Sequence, residues 1–102
     1  MVGGRARSAA PRDLAEDPQT WPHADLARHP AAAVIQQIAA ALADILAERR
    51  LSLRGLAAAS GVNRQSIADL LAGRSWPDVA TVALLETALR VRLWPEGTPA
   101  SR

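Results

Sequence analysis

Residues Leu51–Gly73, LSLRGLAAASGVNRQSIADLLAG, decide the reading of this chain. They read as two short helices joined by a glycine turn. The first opens after Ser52, whose hydroxyl can accept a bond from a free backbone N–H two or three residues on, and ends where Gly61 takes a left-handed conformation. Asn63 caps the second, which spans about 64–72 and closes at Gly73. That helix places Ile67, Leu70 and Leu71 on one side at three- and four-residue spacing, and leaves Arg64, Gln65 and Asp69 pointing away from it. A sharp crossing needs small side chains where the helices approach, supplied by Ala57 and Ala58, and a residue at the turn that tolerates positive φ, supplied by Gly61. Val62 then plugs the gap.

Working outward, a preceding helix is expected from about Ala31 to Arg50, with Ile35, Ile38, Leu42, Ile45 and Leu46 as its apolar stripe. Arg49 and Arg50 sit favourably at the negative end of its dipole. After Gly73, Pro77 and Asp78 open a last helix that runs to about Arg90 with Val82, Leu85 and Leu89 inward. Leu93 and Trp94 are expected to pack back on the core. Pro11, Pro18, Pro22 and Pro30 interrupt any long helix before that point, so residues 1–29 read as a flexible arm with at most a helical turn near Asp13–Glu16 or Asp25–Arg28. The organisation is an arm (1–29), a helical domain (30–95) and a tail (96–102), with no strand signal and no internal repeat.

Composition sets the outer bounds. The 102 residues fit one small domain, and 49% hydrophobic residues with three aromatics indicate a core of Ala, Leu, Val and Ile. No window reads as a membrane span, because even Ala31–Leu46 carries Gln36, Gln37 and Asp44, and the start MVGGRARSAAPRD lacks the apolar core of a signal peptide. With no cysteine there is no disulfide framework and no thiolate metal site, so a cytoplasmic location is expected. His23 and His29 flank Asp25 in the arm, too few ligands for a zinc site. Neither a glycine-rich phosphate loop nor a nucleophile elbow occurs, so no catalytic residue, metal or cofactor is assigned and no enzyme is expected.

From about Ile35 to Pro95 the chain resembles the Cro/phage-repressor type of helix-turn-helix domain, the XRE family. The resemblance is carried by GVNRQSIADLLAGRSWPDVATVALLETAL: Gly-Val, a polar cap, variable polar residues, Ile, then Gly, Pro and a Leu/Ala-rich helix. It implies an all-α, compact four- to five-helix lambda-repressor-like fold with a flexible N-terminal arm. It also implies binding to double-stranded DNA as a transcriptional regulator, with the second motif helix in the major groove and its first exposed residues on base edges. Carried over by position, Arg64, Gln65 and Asp69 become the base readers: Arg64 for guanine O6 and N7, Gln65 for adenine N6 and N7, Asp69 for cytosine N4. Asp69 could instead pair with Arg64 or position Gln65. Phosphate contacts fall to Ser52, Arg54, Asn63, Ser66 and Arg74, together with free N–H groups near Ser52 and Leu53. Three residues depart from the family pattern. Leu53 stands where a phosphate-clamping Gln is common, Leu71 where a Glu often makes a buried ion pair, and Gly55 lies inside a helix at about 1 kcal/mol relative to Ala.

Charge is sorted along the chain. Residues 49–92 carry seven Arg against Asp69, Asp78 and Glu86, a net +4, whereas residues 1–48 carry a net −2. The motif half is therefore the basic half, as attraction of a polyanion requires, although an ordinary solvated surface has the same look. Trp76 either meets the sugar-phosphate backbone or covers the core, and packing is the expectation. Trp94 is expected to pack or to join a dimer seam, and Trp21 has no assured partner, which suggests a docking point. Two copies at adjacent half-sites are the expected binding unit, with helix four, the Leu93–Trp94 end or the arm as the homodimer surface. The other class of function is a protein-interaction module or antitoxin that uses the same fold and binds a protein partner through the arm.

Overall fold

The computed structural model describes residues 9–95. Among these are four α-helices: α1 (Pro30–Arg49), α2 (Leu53–Ser60), α3 (Arg64–Ala72) and α4 (Val79–Leu89). Two 3-10 turns, Pro11–Leu14 and Pro18–Thr20, precede them, and no strand occurs among the described residues. Each boundary has a local cause. Pro30 sits in the first turn of α1, where its missing N–H costs nothing. Ser52 Oγ accepts the Gly55 amide, Asn63 Oδ1 the amides of Gln65 and Ser66, and Asp78 Oδ1 the Thr81 amide. Gly61 (φ +78°) and Gly73 (φ +73°) end α2 and α3 in the left-handed region.

Ile38 and Leu42 of α1, Leu56 of α2, Ile67 and Leu70 of α3, and Leu85 of α4 are fully buried and meet in one core. Burial of each such side chain contributes about 1.5–3 kcal/mol. Val62 fills the turn between α2 and α3 as expected, and is 7% exposed. The lower end of the α1 stripe differs: Ile45 and Leu46 are only half-buried, while Ala32 and Ala39 take buried places. Ala58 is exposed, so the close approach at the turn rests on Ala57 and on Ser60, whose buried hydroxyl accepts the Val62 amide. By length and mean hydropathy (1.5), α1 is apolar enough to cross a membrane, contrary to the sequence expectation. In this fold its Ile35–Ile38–Leu42 face is the spine of the core, and Gln36 bonds the Ala24 backbone.

The segment expected as a flexible arm is, from Ala9 onward, folded against α1 and α3; the first eight residues lie outside the described part. Its turns fall at Pro11–Leu14 and Pro18–Thr20 instead of Asp13–Glu16, because a proline opens each. Pro11 is fully buried, and Ala15 and Leu26 form a small second core with Ala32, covered by Trp21 and Trp76. We refer to residues 9–29 as the strap. Trp21 accordingly has a partner: its indole Nε1 donates to the Leu71 carbonyl at 3.0 Å and its ring lies over Gly73. The expectation of a freely exposed Trp21 is corrected on that account.

At the other end, Leu93 packs into the core at 3% exposure but Trp94 is 44% exposed, so only one of the two residues packs back. Glu86 is the reason. Its Oε2 accepts the amides of Leu93 and Trp94 at 2.7 and 2.9 Å, which fixes the chain with Leu93 inward and its neighbour outward. Arg49 donates to the Leu89 carbonyl at 2.8 Å and ties the ends of α1 and α4 together.

Two tests follow from these contacts. Gly61→Ala, with open space around the new methyl, is expected to cost about 1–2 kcal/mol for its left-handed backbone alone. Gly73→Ala must cost more in the same urea titration, because an ideal Cβ there lies 2.5–2.8 Å from the Trp21 ring. The Glu86 carboxyl is held below its ordinary value of 4.5, first by the Trp94 N–H and then by the Leu93 N–H. A depressed folded value means that its contribution is complete above the unfolded value and is lost as pH falls through the folded one. Melting curves from about pH 5 downward should therefore be flatter for Glu86→Gln than for the wild type.

Candidate nucleic-acid interface

The structure leaves the sequence-selected residues at the start of α2 and in the first turn of α3 exposed. Arg64, Gln65 and Ser66 are exposed in its first turn, and Asn63 immediately precedes them as the cap. Ser52 and Arg54 are exposed at the start of α2. Each cap uses one side-chain oxygen inward and leaves donors outward: Ser52 keeps its hydroxyl hydrogen and Asn63 its amide NH2, groups suited to a phosphate oxygen. Backbone N–H groups at the helix starts add to the positive end of each dipole.

Asp69 organises the far side of this surface. Its Oδ1 accepts Gln65 Nε2 at 3.0 Å and Arg74 Nε and Nη2 at 3.2 and 3.1 Å. The partner is Arg74 and not Arg64, because the turn at Gly73 folds the chain back and carries residue 74 to within reach, while Arg64 lies more than a turn of helix away. Among the described residues this is the single ion pair, so Arg54 and Arg64 remain unpaired cations. With 52% and 31% of the two side chains exposed, the pair contributes little stability and its weight lies in orientation. The bond to Gln65 turns that amide so that Oε1 remains available as an acceptor.

Behind Asp69 lies a cleft of about 200 Å³ lined by Ser66, Asp69, Ser75, Trp76 and Asp78. The Asp78 carboxyl is held below its ordinary value of 3.8 by the Thr81 N–H, then by the Thr81 hydroxyl, so it is charged at neutral pH. This side repels phosphate, whereas the Arg54 and Arg64 side attracts it. Trp76 packs against both cores, half-buried, with its Nε1 donating to the Ala9 carbonyl at 2.8 Å.

A family model described as helix-turn-helix matches residues 42–93, just over half of the chain. The chain belongs to the helix-turn-helix family of Cro/phage-repressor type. No curated protein and no solved structure matches it.

Membership puts the three departures in structural terms. Leu53 is half-buried against the core, so α2 begins with a packing residue. Leu71 likewise packs on the core through its side chain and gives its carbonyl to Trp21. Gly55 has a packing reason: an ideal Cβ would stand 2.9 Å from Leu51 Cδ1, so glycine admits Leu51 beneath the start of α2. Sequence reasoning missed Arg12, Trp21 and the Arg74–Asp69 pair. Nothing in the local pattern reveals contacts that span 60 and 50 positions, although Gly73 followed by Arg74 is a weak signal for the pair.

Breaking the pair has a defined consequence for any polyanion at this surface. Asp69→Ala frees Arg74 and removes a negative charge, so binding to non-specific duplex should strengthen. The gain in affinity at fixed salt is measured by fluorescence anisotropy.

Proposed function

We propose that this helix-turn-helix protein binds a specific double-stranded DNA site and regulates transcription, with α3 in the major groove. The supporting observation is the exposed, capped first turn of α3, which presents unpaired Arg64 beside Gln65 within the basic half of the chain. Arg64 forks onto guanine, Gln65 meets adenine, and Asp69 offers its second oxygen, Oδ2, to a cytosine amino group. Ser52, Arg54, Asn63, Ser66 and Arg74 hold phosphates and set the register. The site calls for no metal and no cofactor, and the protein acts in the cytoplasm on the nucleoid.

Two copies bind two half-sites about one helical turn apart. The exposed apolar residues Leu84 of α4 (48% exposed) and Trp94 (44%) mark the surface we assign to the homodimer. An alternative dimer surface or protein partner on the arm through Trp21 loses its anchor, since that ring is committed to Leu71 and Gly73.

Selection from a random duplex library at near-physiological salt tests the reading. Wild-type protein should enrich a two-fold-symmetric site, and Arg64→Ala should weaken binding to it by about 1–3 kcal/mol with relaxed preference at one base position. No enrichment by the wild type would overturn the proposal.

A further inference from the structure

A helix leaves its last four carbonyls without intrahelical partners, and in α3 every one of them is satisfied. The Asp69 and Leu70 carbonyls accept the Arg74 and Gly73 amides at 2.9 and 3.1 Å, the closure that a glycine-ended helix makes by itself. The next three acceptors are taken by the strap. Trp21 Nε1 donates to the Leu71 carbonyl at 3.0 Å, Arg12 Nη1 to Ala72 at 3.3 Å, and the Arg12 amide to Gly73 at 3.0 Å.

The strap is itself anchored away from α3. Gln36 of α1 bonds both the amide and the carbonyl of Ala24, at 2.8 and 3.0 Å, and Trp76 donates to Ala9 at 2.8 Å. Arg12 Nη2 also donates to the Pro18 carbonyl at 3.2 Å, joining the two 3-10 turns. One segment thus grips the end of α3 and the 73–77 loop that carries Arg74. It lies wholly outside residues 42–93, so it is an addition to the shared helix-turn-helix unit.

We propose that the strap is a clamp on the reading helix, and that Arg12 and Trp21 are positioning residues for DNA contact. The inference rests on the DNA-binding reading above. A nine-residue helix is about 13 Å long, so freedom at its C-terminal end becomes tilt at the Arg64 end, where a forked contact tolerates only small errors of angle and distance. Neither the indole N–H nor the guanidinium belongs to the Leu56–Ile67–Leu70 core, so the clamp can be weakened without emptying the core.

Trp21→Phe isolates the effect, because it keeps a ring over Gly73, removes the Nε1 donor and leaves the charge unchanged. Affinity of the full chain for the duplex selected by the wild type is measured well below the melting transition followed by circular dichroism. Loss of this one bond should lower the affinity about five-fold, with a salt slope smaller by up to about one as Arg74 is released with the loop. Ile35→Val, which thins the core and removes none of the strap's hydrogen bonds, should keep wild-type affinity within about two-fold. If Trp21→Phe fails to fold, Arg12→Lys, which keeps the charge and loses the fork, is measured in the same way. A folded strap variant that binds within about two-fold of the wild type overturns the clamp alone, as does an equal loss in Ile35→Val. Failure of the wild type to bind any duplex overturns the DNA-binding reading and the clamp with it.

Discussion

A helix of nine residues cannot hold itself together in water by its own hydrogen bonds, because nucleation is costly and nearly half of its polar backbone groups lack a partner within the helix. The structure around α3 answers that constraint. Asn63 takes two of its free amides, Gly73 closes two of its free carbonyls, and Ile67 and Leu70 bury its inner face. The strap takes the carbonyls that remain. What results is a short helix fixed at both ends, with its first turn still open to solvent.

The same helix carries the electrostatic pattern. Its N-terminal end faces outward with Arg64, unpaired among the described residues, and with free donors, while Asp69, Arg74 and Gln65 form a closed set farther along. The Asp69 carboxylate is balanced by Arg74, and the balance leaves orientation as its main effect. The side toward Asp78 stays negative. The surface therefore has a direction: a polyanion is drawn to the Arg54–Arg64 side and repelled from the cleft beside Trp76.

Much of this was legible in the sequence. Ser52, Asn63 and Asp78 were readable as caps, and Gly61 and Gly73 as helix ends, because capping and positive φ are settled within three or four residues. The periodic Val82, Leu85 and Leu89 were readable as core, and the exposure of Arg64 and Gln65 follows from the same period. Trp94 was read either as packing or as joining a dimer seam, and a carboxylate eight positions earlier, Glu86, turns it outward. Ala58 was misread because smallness alone does not say which residue faces the partner helix.

The sequence by itself determined the four helices and their ends, since each depends on short-range backbone chemistry and on a regular apolar period. Only the tertiary structure decided the fate of residues 9–29 and the packing reason for Gly73. Those depend on donors and rings that reach their acceptors across as many as 67 positions, and no local pattern encodes which distant carbonyl an indole or a guanidinium will meet.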